Sequence, residues 1–416
     1  MFNNSGLSLD QAPPIEVVLR FFLVGSIFGV VASFMLFFWH NDLNNIYAST
    51  TLALIHTLTL GVMASFMLGA LFQMMPVLCG VHIKAPVDFS IRVTYTLLVG
   101  VIFLITAFIN GNSALYIFAA IFLAIAILSS AFVMIRRLSK INHSNSSRGM
   151  LIAIISFVIA VVLGIFMLTA RAGFNIDIKY IEFRNIHFHF ALFGWIAILI
   201  IAVAFQVIEM FYVTPKYNQK YAKYITILIF LLLLIYAILE LLGFKISTLF
   251  SFFAVALISF NAVVTIIKIK QKKRPVNDAS IWFWVNGMAS LALFALFYFF
   301  NFSALFLAIL FSSFALSIIF AMSYKIIPFL VWFHLNAKGY FDAPMMHEVV
   351  SAKYAKVNFW FFLSAEVILL TALKFKILFY FGSFLLLIAF CMLSLAIYRA
   401  WEKYNFTIKY GKKFNF

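Results

Sequence analysis

The chain has 416 residues, of which 65% are hydrophobic, 19% aromatic and only 10% charged. This excludes a soluble globular domain, in which about a quarter of residues are charged. The net charge of +17 lies in loops between apolar runs, which excludes nucleic acid as the partner and leaves membrane lipids.

Apolar runs of about 20 residues, each long enough to cross a bilayer as a helix, recur along the whole chain. Met1 to Pro14 is polar and lacks a basic n-region, so the first run reads as a span rather than a signal peptide. Twelve spans are predicted, at 17–39, 47–79, 91–110, 113–136, 150–170, 183–213, 222–243, 246–269, 280–300, 303–334, 356–373 and 376–400. Short hinges such as Asn110-Gly111-Asn112-Ser113 and Asn301-Phe302 make consecutive spans antiparallel neighbours. The expected fold is an all-α polytopic membrane protein with one membrane domain, 1–416.

Of the 30 Lys and Arg, 24 fall in one set of loops and the termini. Arg171, Lys179, Arg184, Lys245, Lys374 and Lys376 make up the other set. The positive-inside rule then places both termini in the cytoplasm, and the expected location is a bacterial inner membrane. Cys79 and Cys391 form no CxxC pair and no disulfide framework.

Two spans match without a gap. His56 aligns with His189, Gly61 with Gly194, Phe72-Gln73 with Phe205-Gln206, and Pro76 with Glu209. The tenth span joins the register when Pro328 is set on Pro76. This puts Ser313 on the glycines, Lys325 on the glutamines and Ala308 on the histidines. The pattern predicts three pseudo-symmetric four-helix units, roughly 17–136, 150–269 and 280–400, with sites between units.

Ionisable residues inside apolar helices are costly and point to function. His56 and His189 both lie about 10–14 Å below the outer end of their spans at 1.5 Å per residue. Equal depth suits a shared planar ligand, with imidazole as an axial iron ligand. Gly61 and Gly194 would let a macrocycle or a neighbouring helix approach. His187 is about 200° around the helix from His189, so it serves a different side. Arg171, Lys179 and Arg184 could pair with carboxylates near the outer end. Glu240 and Glu366 are intramembrane carboxylates that could relay protons. Met345-Met346-His347 offers soft ligands for Cu(I) but is weak as a motif.

The stretch from His56 through Pro76 to Ile91-Arg92, with His187-Phe188-His189-Phe190, resembles subunit I of the heme–copper oxidases. That family has a heme-ligating histidine on its second helix, a His-Phe-His-Tyr motif whose two histidines bind different hemes, and twelve helices in three arcs. The resemblance implies a b-type heme held by His56 and His189, with His187 ligating a second heme. It implies a quinol, a cytochrome or respiratory-complex subunits as partners. The His-x-x-x-Tyr and His-His set that binds copper in the family is not seen here, and His-Phe-His lies on the sixth span rather than the tenth. The layout is also similar to the NnrS type of heme-containing membrane proteins. The expected function is therefore electron transfer or diatomic-gas handling rather than full oxygen reduction, an oxidoreductase-like role. The alternatives are a transporter of heme, copper or another metabolite, with Gln73, Gln206 and Lys325 on an inward pathway, and a respiratory-complex assembly factor.

Overall fold

A computed structural model describes residues 11–174, 179–273 and 278–413. Twelve helices in it are long and apolar enough to cross a membrane. They are α1 (Ile15–Asp42), α2 (Ser49–Cys79), α3 (Pro86–Asn110), α4 (Ser113–Leu138), α5 (Asn145–Arg171) and α6 (Tyr180–Tyr212). The second half holds α7 (Gln219–Leu241), α8 (Ser247–Lys270), α9 (Ala279–Phe299), α10 (Ala304–Ala337), α11 (Ala352–Ala372) and α12 (Leu378–Tyr410). The protein is an all-α, multi-pass membrane protein. Every span is helical because lipid leaves backbone polar groups no other partner.

Sequential helices pack as neighbours, and α12 returns to pack along α1 and α10, closing the bundle. The α1–α12 seam is tight, since a Cβ on Gly29 would stand 2.1 Å from Phe390 Cδ1. The hinges carry their own chemistry. Gly111 takes φ 64° to end α3, and Asn112 then caps α4 by accepting from the Ala114 and Leu115 amides. Tyr340 pairs with Lys413, tying the α10–α11 loop to the end of α12.

Helices α2, α6 and α10 form the inner ring. The most apolar stretches of these three are 78%, 78% and 67% buried, against 33–56% for the other nine. They enclose, with Phe22 of α1, an apolar cavity of about 60 Å³. Its lining follows the three-way register. Phe66, Leu199 and Ile318 are one aligned set, Met67, Ile200 and Ile319 the next, and Ala70, Val203 and Met322 the third. Residues aligned by this register on the three helices thus line one shared space.

Three expectations need adjusting. Helix α3 begins at Pro86 rather than 91, with Pro at its first turn and Asp88 beside the helix N-terminus. Helix α12 continues to Tyr410, ten residues beyond the predicted end, because its last turns are amphipathic rather than apolar. Helix α10 runs to Ala337, three residues beyond the predicted end at 334, with Pro328 inside it.

Candidate functional site

Two of the inner helices leave α-helical geometry directly after a histidine. A π-helical stretch, Thr57–Ala64, follows His56 in α2, and a second, Phe190–Ala197, follows His189 in α6. The register that aligns the histidines superposes these stretches residue for residue. Helix α10, which carries Ala308 at that position, is α-helical throughout. Such π segments are rare and gather at functional sites.

Gly61 and Gly194 fall at the same place in the two stretches. A Cβ on Gly61 would come within 2.7 Å of Phe28 on α1, and one on Gly194 within 2.7 Å of Ser156 on α5. Both glycines therefore serve helix-to-helix approach.

The histidine facing His56 is His187. Their ring centres are 6.3 Å apart and the planes differ by 25°. His56 Nδ1 donates to the Leu52 carbonyl at 2.8 Å, and His187 Nδ1 donates to the Ala160 carbonyl on α5 at 2.7 Å. With Nδ1–H so engaged, each neutral ring carries its lone pair on Nε2, the tautomer a metal requires. Two imidazoles on opposite sides of one metal ion place their ring centres about 6 Å apart, given metal–nitrogen bonds of about 2.0–2.1 Å. The observed separation matches that spacing. Phe108 of α3 packs on His56 at 5.1 Å. Gly164 of α5 borders His187, where a Cβ would stand 3.2 Å from Cε1.

His189 turns to the other side of α6, as the helical wheel predicts. Its Nδ1 bonds the Asn185 carbonyl and its Nε2 the Ser251 hydroxyl of α8, both at 2.7 Å. Its ring stacks on Tyr236 of α7 at 4.0 Å. Ser251 in turn meets the Tyr298 hydroxyl of α9 at 2.8 Å. His189 is buried and fully partnered, and ties four helices together. His189 thus stands apart from His56, and the ring beside His56 is that of His187. In a rotational repeat, equivalent residues face successive interfaces and not each other. His56 looks towards α3 through Phe108, and His189 towards α7 through Tyr236.

The two arginines lie on this end of the bundle. Arg171 Nε donates to the Tyr180 hydroxyl at 3.0 Å, and the guanidinium lies 5.6 Å from the Phe108 ring centre. It is thus beside the ring that packs on His56. Arg184 binds the Asn185 side chain at 2.8 and 3.2 Å, bonds the Tyr47 hydroxyl, and sits over the Tyr47 ring at 5.2 Å. Asn185 also donates to Glu240 at 2.8 Å, and Ser247 donates to the other Glu240 oxygen at 2.7 Å. Arg184 and Glu240 therefore brace the α1–α2 connection, α6, α7 and α8 around His189, while Arg171 borders the His56–His187 pair. Lys179 is occupied by the Leu241 carbonyl.

Sequence reasoning did not single out Gly164, Phe108, Leu52 or Ala160. The two carbonyls act through the backbone and leave no side-chain signal. Gly164 sits in a run of apolar residues where a glycine is unremarked. Away from the pair, Lys325 of α10 is ion-paired with Asp278 at the start of α9. His40 bonds the Phe37 carbonyl at 3.0 Å and stacks on Phe379.

Comparison of the chain with protein-family models and with curated proteins finds no match.

Proposed function

We propose that His56 and His187 would hold one b-type heme between α2 and α6. The protein then carries electrons within a bacterial inner membrane, or handles a diatomic gas there, with a quinol or a cytochrome as its redox partner. One observation carries this reading. Two intramembrane imidazoles face each other at the spacing of a shared metal ion, with both Nδ1 atoms committed to backbone carbonyls. When bound, such a heme supplies one-electron redox chemistry.

The protein's own residues have separate tasks. The Leu52 and Ala160 carbonyls fix the tautomer and rotation of the two rings. Gly164 leaves space beside His187, and Phe108 fills the apolar side of His56. Arg171 is placed to meet a carboxylate of the ligand. Transport of a polar metabolite is less favoured, since the central cavity is apolar and Lys325 is engaged by Asp278.

The test is the absorption spectrum of the purified protein, with heme content by pyridine hemochromogen. One heme per chain and a low-spin Soret band are expected. A protein that takes up neither heme nor iron would end the proposal.

A further inference from the structure

Helix α11 carries one carboxylate inside the bundle, Glu366, which is only 9% exposed. It lies about 9 Å along the helix from the α11–α12 connection, six residues at 1.5 Å each. Ser290 of α9 donates to Oε1 at 2.8 Å, and Asn286 of α9 donates to Oε2 at 2.8 Å. Ser313 of α10 stands 3.2 Å from the Ser290 hydroxyl, and Ser317 accepts from Asn286 at 3.0 Å. Ser313 occupies the register position held by Gly61 and Gly194. The third unit thus replaces a packing glycine with a hydroxyl aimed into this cluster.

An isolated carboxylate in a low-dielectric interior is costly unless its charge is balanced. Among the described residues no cation is paired with Glu366, and the one ion pair is Lys325 with Asp278. The groups facing Glu366 from α9 and α10 are neutral. Tyr298 of α9 is bonded to Ser251, and Tyr324 of α10 is bonded to Asn358. On α12, which packs along α11, Tyr380 meets His40 edge to face, and Arg399 lies near the far end. Lys353 and Lys356 are at the other end of α11, and Lys374 and Lys376 lie beyond its last turn.

We infer that Glu366, Asn286, Ser290, Ser313 and Ser317 form a binding site for one exchangeable monovalent cation, a sodium ion. The ligating atoms are the Glu366 carboxylate and the three serine hydroxyls, all oxygen, which selects a hard ion, while Asn286 holds the carboxylate through its amide N–H. A single carboxylate neutralises a single positive charge and would leave a divalent ion half compensated. The inference is independent of the heme reading, because it concerns α9, α10 and α11 only.

The experiment is carbodiimide labelling of the full-length protein in detergent, with the modified residue mapped by mass spectrometry. Labelling is compared in NaCl and in N-methylglucamine chloride at one fixed pH. NaCl should slow modification of Glu366 about tenfold or more, and Ser313→Ala should weaken that protection. Glu366→Gln removes the labelled position, and circular dichroism checks that it folds. Labelling of Glu366 that sodium does not slow, or no labelling under any condition, would overturn the inference.

Discussion

Replacing His189 by alanine should destabilise the bundle and leave the ligand site intact. The side chain makes two hydrogen bonds of 2.7 Å and a ring stack at 4.0 Å. Interhelical hydrogen bonds in membranes average about 0.6 kcal/mol. An aromatic contact adds about 0.5–1.5 kcal/mol, and the cavity left in a closed site about 1 kcal/mol more. The total is about 3 kcal/mol, roughly a hundredfold in the folding equilibrium. Equilibrium unfolding in mixed micelles with increasing dodecyl sulfate, followed by tryptophan fluorescence, measures it. His187→Ala should cost less by the same assay, since its one protein bond is to the Ala160 carbonyl. A His189→Ala protein as stable as the parent would refute the assignment of His189 to the structural tie.

Three other outcomes follow from particular contacts. Gly164→Ala places a methyl 3.2 Å from His187 Cε1. It should raise the rate of heme loss to an apo-acceptor roughly tenfold, the usual scale for groups that orient a ligand. Gly29→Ala drives a methyl into Phe390, which is fully buried, and should cost about 1–3 kcal/mol by thermal unfolding. Burial pushes the Asp278 carboxyl up, but Lys325, Ser280 and the Ile281 amide together hold it below the usual carboxylate range. A lowered folded-state value gives stability that is present above the unfolded value of about 3.9 and lost as pH falls through the folded one. Asp278→Asn should therefore cost about 1 kcal/mol at neutral pH, given its partial exposure, and flatten the acid limb of the stability–pH profile.

The fold was largely legible in the sequence, since helices in lipid are forced by the absence of water. All twelve spans follow from hydropathy. The misplaced ends, at Pro86 and Tyr410, are where a helix continues in polar residues that hydropathy ignores. The register from His56 to His189 and on to Pro328 was legible too, and the π stretches and the central cavity follow it. The partner of His56 was not. A match in sequence marks residues with equivalent surroundings, and rotation about a central axis carries those surroundings to different interfaces. His187, two residues from the matched position, is the one turned back towards α2. The aligned glycines, Gly61 and Gly194, allow the approach of neighbouring helices, one of the two roles their positions suggested. Gly61 and Gly194 are conspicuous because they align, whereas the glycine beside the histidine pair, Gly164, lies on α5 with no aligned counterpart. Glu366 was visible as an intramembrane carboxylate, but its four neutral companions come from two other helices and no spacing reveals them.

The central claim is that His56 and His187, and not His189, share one metal centre. The most direct measurement is the optical and electron paramagnetic resonance spectrum of three single variants beside the parent protein. His56→Ala and His187→Ala should each abolish the low-spin bis-imidazole signature, while His189→Ala retains it at lower thermal stability. Loss of the signature in His189→Ala together with its survival in His187→Ala would contradict the account.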